Sequence, residues 1–402
     1  MQSSSRGIRL RNCFSMLRHL LADHPSSRPH LAVKTGLSVA TVSNLVAELI
    51  DLGVVVEAGW EDSGGGRPRM LLAPNTEGGV LIGVDVATTY VKFEAYDLAL
   101  QVLHRIEEQV DLAEDTPEKL LDHIASGMAD LRGRLAGREI LGLGVSLPGQ
   151  VDVAGGISVF TPNWNWRDVA FKQLLAERLG LEAPIYLDNS LKTVTAGELW
   201  FGDGRGVERL AVVVLGTGVG VGLAFDGKLY RGATNSAGEW GHTVIDADGP
   251  VCRCGRRGCI EARIGAPAIL REWAAASGGA HEWDTQESGI EALVDAWKAG
   301  EEPAVRTVEA TARYMAIGVA NLVNLVNPDL VVFTGWVSSV LGEALLPELE
   351  ARLGDHVLES ALGALRVKLD EQSRNMVLLG AAALALEGHL NGIKSIGSRS
   401  RP

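Results

Sequence analysis

Apolar positions recur at helical spacing over residues 8–21, again over a short stretch near 30–34, and a third time from Val39 onward. In the third run Val42, Leu45, Val46 and Leu49 fall on one stripe with a 3.6-residue period. Thr35-Gly36-Leu37-Ser38 separates the second run from the third, so the order reads helix, turn, helix. Ser38 is placed to cap the first amides of the third helix. Gly53 ends that helix, and residues 54–57 and 70–73 read as a strand pair. Beyond the turn formers Pro74-Asn75-Thr76-Glu77-Gly78-Gly79 the pattern changes. Short β-rich runs at 80–84, 142–147, 185–187, 210–215 and 330–333 alternate with helical stretches at 117–135 and 304–326, which predicts an α/β body behind a head of residues 1–75.

Composition adds scale and compartment. With 402 residues, 46% of them hydrophobic and 22% charged, the chain can bury a large core and has room for two or three domains of about 150 residues. The net charge of −13 argues against wholesale coating of nucleic acid, but it is unevenly spread. Up to Asn75 the chain carries eight basic and six acidic side chains, net +2, which leaves −15 on the remainder. A weakly basic head on an acidic body is the asymmetry of a nucleic-acid module joined to a larger domain. The longest uncharged stretch, 210–225, has 16 residues and four glycines, short of the roughly 18 apolar residues a membrane helix needs. Four cysteines, three of them between 252 and 259, make no disulfide framework. The expectation is a cytoplasmic protein with no membrane partner.

The polar face of the third helix carries Ala40, Thr41, Ser43, Asn44 and Ala47, small or hydrogen-bonding and free of acid. Such a face can enter a major groove, with Asn44 pairing an adenine edge and Thr41 meeting a phosphate or a thymine methyl. The turn between the two strands reads Gly64-Gly65-Gly66-Arg67-Pro68-Arg69, and Arg67 and Arg69 on a glycine-rich tip suit a phosphate backbone or a narrow minor groove. The expectation is a winged helix-turn-helix that reads DNA; a partner-binding winged helix and a different three-helix head are the alternatives.

Cys252-x-Cys254-x4-Cys259 offers three soft ligands within eight residues, and His242 lies ten residues upstream of the first. A Cys3His set suits a closed, tetrahedral structural zinc, Zn2+. The competing reading is a reduced cysteine cluster in a glycine turn.

These segments, taken in order, resemble one family. The wing Gly65-Gly66-Arg67-Pro68-Arg69, then Leu147-Pro148-Gly149-Gln150-Val151-Asp152, Leu215-Gly216-Thr217-Gly218-Val219-Gly220, Glu239-Trp240-Gly241-His242 and the run from Cys252 to Glu261 resemble the ROK family (repressors, open reading frames and kinases), specifically its sugar-responsive repressor branch. The resemblance implies an actin-like, hexokinase-type (ribonuclease H-like) frame of two α/β lobes with sugar bound in the cleft. It implies lobes of residues 76–190 and 191–374, with a C-terminal helix, 375–390, returning to the first. It also implies sugar contacts from Gly149, Asn163, Asn189, Glu239, His242 and Glu261, with His242 shared between metal and sugar.

The same resemblance exposes departures from a kinase. The family's kinases carry Glu-Asn-Asp-x-Asn eight residues before a Gly-Glu, and their Asp takes the sugar proton; here the position is Ser190 within Asp188-Asn189-Ser190-Leu191-Lys192. A positioned general base is worth about 10²- to 10⁴-fold in rate. The first phosphate loop, Asp-x-Gly-Gly-Thr in the kinases, is Asp85-Val86-Ala87-Thr88-Thr89, and Trp336 stands near the adenosine site where glycine is usual. The expectation is therefore a non-enzymatic regulator, a repressor that binds operator DNA as a homodimer or tetramer and answers to a sugar or sugar phosphate. The alternatives are an active ATP-dependent sugar kinase with a DNA-binding head, and a regulator controlled by a protein partner.

Overall fold

The computed structural model describes residues 5–61, 68–110, 116–161, 164–279, 283–370 and 375–392. The chain forms two compact units: one takes the chain up to Phe201 together with the described residues from Met376 onward, and the other is Gly202–Asn375.

The first unit opens with helices Ser5–Ala22, Arg28–Thr35 and Val39–Asp51. The last two meet at 115° about a turn whose Gly36 has φ +68°. Ser38 caps the third helix as expected, its Oγ accepting the Thr41 amide at 3.1 Å. Val42, Leu45, Val46 and Leu49 are all buried, so the predicted stripe is the core of the head. Strands Val55–Glu61 and Arg69–Pro74 pair antiparallel, longer than the pattern indicated, and the two-residue strand Ser26–Ser27 pairs with Arg69–Pro74 on its other side.

Each unit contains a five-stranded mixed sheet, and the two sheets have the same order. In the first, Val80–Val86, Tyr90–Tyr96 and Val102–Gln109 form an antiparallel meander, and Ile140–Leu147 and Ile185–Asn189 add in parallel on the opposite side. In the second, Arg209–Leu215, Val219–Phe225 and Lys228–Tyr230 form the meander, and Leu330–Thr334 and Arg366–Leu369 the parallel additions. Numbered by chain order within the sheet, each runs 3-2-1-4-5. The pattern of apolar positions does not specify this shared order, since a sheet constrains only which positions are apolar. Helices Glu302–Val326 and Trp336–Leu353 pack against each other in the second unit, and Pro117–Arg134 covers the first sheet.

The C-terminal helix, Met376–Gly392, lies on strands Val80–Val86 and Ile140–Leu147 on one side and on helix Ser190–Phe201 on the other. The approach is backbone to backbone. A Cβ on Gly83 would strike the Leu378 carbonyl, on Gly144 the Ala381 carbonyl, on Gly197 the Met376 carbonyl and on Gly380 the Thr193 carbonyl. Helix Ser190–Phe201 is buried from Lys192 through Trp200. It therefore belongs to the first unit, and the boundary expected at 190/191 moves to 201/202.

The head is likewise part of the first unit rather than a separate body. Trp200 Nε1 donates to Glu387 Oε1 at 2.8 Å, Arg18 Nη2 reaches the same oxygen at 3.3 Å, and the Arg18 guanidinium lies 4.9 Å from the Trp200 ring centre. Phe14 packs beside that ring at 6.2 Å, and Arg6 donates to the Asn391 carbonyl at 2.7 Å. No single helix among the described residues is long and apolar enough to cross a membrane.

Gly380→Ala should lower stability by about 1–3 kcal/mol, because backbone cannot retreat from the added carbon. In an open helix the same change would add about 1 kcal/mol. Urea unfolding gives the sign, and a stabilised variant would contradict the packing described.

Candidate functional site: a thiolate–histidine cluster and the loops around it

In the second unit, strand Val219–Phe225 supports a single 3-10 turn, Trp240–His242. Gly241 sits where a Cβ would strike the Val219 carbonyl, and Trp240 Nε1 donates to the Gly318 carbonyl at 2.9 Å. That turn fixes Glu239 and His242. The loop from Pro250 to Cys259 folds back beneath it: Cys252 N–H meets the Arg256 carbonyl at 2.7 Å, Gly258 N–H the Pro250 carbonyl at 2.9 Å, and Val244 bridges Cys259. Gly258, at φ +70°, lies so close to the Asp246 carbonyl that no side chain fits.

The result brings together one ligand atom each from His242, Cys252, Cys254 and Cys259, all within 4.8 Å of one another. Cys252 Sγ is 3.7 Å from His242 Nδ1, and Cys254 Sγ is 3.7 Å from Cys259 Sγ. A tetrahedron with metal–sulfur arms of about 2.3 Å has edges of about 3.8 Å, so the donor set fits a bound metal ion. Burial pushes the Cys252 thiol up to about 12. Burial pushes Cys259 up as well, whereas Cys254 is lowered, burial there being outweighed by hydrogen bonds from the Arg256 backbone and the two neighbouring thiols.

Glu261 follows at the start of helix Glu261–Ile264 and is buried. Its Oε2 accepts the Val219 amide at 3.0 Å, and its Oε1 lies 3.6 Å from Cys252 Sγ. Arg253 forks onto it, Nε to Oε1 at 2.7 Å and Nη2 to Oε2 at 3.0 Å. The glycine loop 216–220 closes on itself through Gly216 N–H to the Gly218 carbonyl at 3.0 Å. Trp336 lies against it, with Nε1 3.0 Å from where a Cβ on Gly216 would stand.

In the first unit, Asn189 ends strand Ile185–Asn189, and its Oδ1 caps the following helix by accepting the Lys192 amide at 3.0 Å. Asp188, buried, accepts the Asn189 amide at 2.9 Å, and Ser190 begins the helix. Gly149 makes the turn between strands Ile140–Leu147 and Gln150–Asp152 at φ +85°, where a side chain would strike the Phe160 carbonyl. That contact accounts for the glycine by itself. Thr41 shares its hydroxyl with the Ser38 cap at 2.8 Å, Ser43 is half-buried, and Asn44 and Arg69 are exposed. Arg67 and Asn163 lie outside the described residues.

Two features escaped sequence reasoning. One is the Arg253 fork, and the other is the Trp200–Glu387–Arg18 lock, whose sequence signal was a lone acid in the otherwise apolar run 376–387.

Residues 81–388 match the family described as ROK family. The chain belongs to the ROK family. Among its relatives, the xylose repressor of Caldicellulosiruptor bescii is 31% identical over 390 residues, spanning 94% of this chain and 96% of the relative. The glucokinase of Thermotoga maritima is 30% identical over 315 residues, 76% of this chain and 97% of the relative. A solved ROK family transcriptional regulator, described as a homologue of the E. coli MLC protein, superposes with TM-score 0.79 at 23% identity, over 97% of this chain and all of that one. The shared frame is the two-lobed, sugar-kinase-like α/β fold expected from the ROK motifs.

Asp85, at the first phosphate-loop position, is buried; burial pushes it up to about 6 against opposing hydrogen bonds from Tyr90, at 3.2 Å, and Ser146, and the charge of Lys92. An unfolded Asp titrates near 3.9, so stability falls as pH rises from about 4 through 6 and stays lower above. Asp85→Asn should therefore stabilise the protein at pH 8 by on the order of 1–3 kcal/mol and have little effect near pH 4. Urea unfolding at both pH values checks this, and an equal effect at both would contradict it.

Proposed function

We propose that this chain is a sugar-responsive transcriptional repressor that binds operator DNA in the cytoplasm as a homodimer or a tetramer. The xylose repressor matched along nearly the whole chain supports this reading, because the match includes the head, whereas the glucokinase match covers 76% of the chain. In the head, helix Val39–Asp51 presents Thr41, Ser43 and Asn44 to bases, and Arg67 and Arg69 bind the backbone. A palindromic operator needs two such heads one helical turn or a multiple apart, which is why an oligomer is required.

Sugar recognition is assigned to Glu239, His242 and Glu261 in the second unit and to Gly149, Asn163 and Asn189 in the first. The observation that carries the regulatory reading is the double duty of helix Ser190–Phe201. Asn189 caps its N-terminus, and Trp200, at its other end, holds the head helix through Arg18 and Glu387. Twelve residues make a rigid strut of about 18 Å. A ligand that engages Asn189 thus loads an element whose far end fixes the head. Coupling of this kind is typically about 1–3 kcal/mol, a 5- to 150-fold change in operator affinity.

A structural zinc held by His242, Cys252, Cys254 and Cys259 would lock Glu239 and Glu261 on either side of one loop. Phosphoryl transfer is lost in this reading. Ser190 supplies no base where the family's kinases carry Asp, and Trp336 lies against the glycine loop.

Operator binding followed by fluorescence anisotropy, with D-xylose, D-glucose and their phosphates as first probes, tests the proposal. An operator affinity indifferent to every sugar and sugar phosphate would refute it, and sugar-dependent ADP release would favour the kinase. Trp200→Leu, which keeps apolar bulk but loses the Glu387 bond, should leave sugar affinity within about twofold while abolishing most of the 5- to 150-fold operator response. The wild type should carry equimolar zinc by plasma mass spectrometry, and Cys259→Ser should lose it and melt about 5 °C lower or more. Full zinc retention would contradict the ligand set.

A further inference from the structure

The carboxylate assigned to sugar in the second unit is already spoken for. An ionised carboxylate offers about four acceptor sites. At Glu261, two are taken by the Arg253 fork at 2.7 and 3.0 Å, a third by the Val219 amide at 3.0 Å, and Cys252 Sγ stands 3.6 Å from Oε1. Paired hydroxyls of a sugar cannot be received there while the fork is in place.

The two partners of the fork are unequal. The Glu261 side chain is 6% exposed and the Arg253 side chain 43%. If the pair opens, Arg253 is taken up by water at little cost, whereas the buried carboxylate needs new donors at once. Those donors are what a polyhydroxylated ligand carries. Val219 N–H belongs to the strand and cannot withdraw, so Arg253 is the partner free to leave. Gly218 makes the fork possible, since a side chain there would collide with the Arg253 guanidinium.

We propose that Arg253 is a built-in competitor of the sugar at Glu261: guanidinium and sugar hydroxyls are alternative partners of one buried carboxylate, and Arg253 thereby sets the affinity threshold of the sensor. This rests on the reading of Glu261 as a sugar ligand. Because Arg253 lies between Cys252 and Cys254, a bound metal fixes the backbone from which it swings. The threshold is thus built into the metal loop.

The test uses the full-length, metal-loaded protein and two readouts. Carbodiimide coupling of an amine to Glu261, followed by peptide mass spectrometry without sugar, reports whether Arg253 covers the carboxylate. Calorimetry with D-xylose and with D-glucose reports competition. Arg253→Gln should label at Glu261 several-fold faster than wild type and bind whichever sugar the wild type binds about tenfold tighter, the yield of one charged hydrogen bond no longer displaced. Arg253→Lys keeps the charge but cannot fork, and should fall between the two. Metal content, measured on each variant, should stay equimolar.

Weaker or unchanged sugar affinity in Arg253→Gln would overturn the proposal, making Arg253 a sugar contact or a bystander. Labelling that rises in Arg253→Gln while neither sugar binds any variant would overturn the sugar reading of Glu261 and the competition with it, leaving only an ion pair. Unchanged labelling together with tighter sugar binding would overturn the fork itself.

Discussion

The first unit depends on backbone packed against backbone. Helix Met376–Gly392 returns from the far end of the chain and lies on two strands and one helix at distances that only Gly83, Gly144, Gly197 and Gly380 permit. No side chain intervenes at these points, so the helix has little room to shift, as expected of interiors packed to crystal density. That fixed helix also carries Glu387, the one oxygen on which Trp200 and Arg18 converge. The same element therefore closes the α/β core and sets where the head helix sits. A regulator built this way can transmit a strain at Asn189 without a hinge, because the strut it caps ends in the lock.

The second unit repeats the sheet order but uses it differently. Here the strand Val219–Phe225 is the reference surface: its Val219 carbonyl forces glycine at 241, and its Val219 amide holds Glu261. The cysteine loop is folded beneath by local hydrogen bonds and two tight glycines. Metal ligands and candidate sugar ligands thus share a few residues of chain, and Arg253, placed between two of the cysteines, joins them physically. In the proposed reading, Trp336 against the glycine loop 216–220 and Ser190 in the other unit both count against phosphoryl transfer.

What was legible from sequence was whatever is decided locally. The stripe Val42, Leu45, Val46 and Leu49, the Ser38 cap, the strand runs and the Cys3His spacing each depend on residues within about a helical turn or a short loop, and each is in place. The lock was not legible, since Trp200 and Glu387 lie 187 residues apart and only the fold brings them together. The boundary at 201/202 was missed for the same reason: helix Ser190–Phe201 follows a strand as any lobe-opening helix would, and only its burial against the C-terminal helix assigns it. At Gly149 the φ of +85° and the Phe160 carbonyl require glycine whatever else that turn faces. Arg253 sat inside a recognised motif, but its role is decided by a carboxylate eight residues on.

In the proposed mechanism a sugar signal reaches the head through helix Ser190–Phe201. Hydrogen exchange of the full-length protein, with and without a saturating sugar that binds it, tests this directly. Exchange should change together in residues 190–201 and in the head helix, residues 5–22. A change confined to residues 239–261, with the strut and the head helix unaltered, would contradict it.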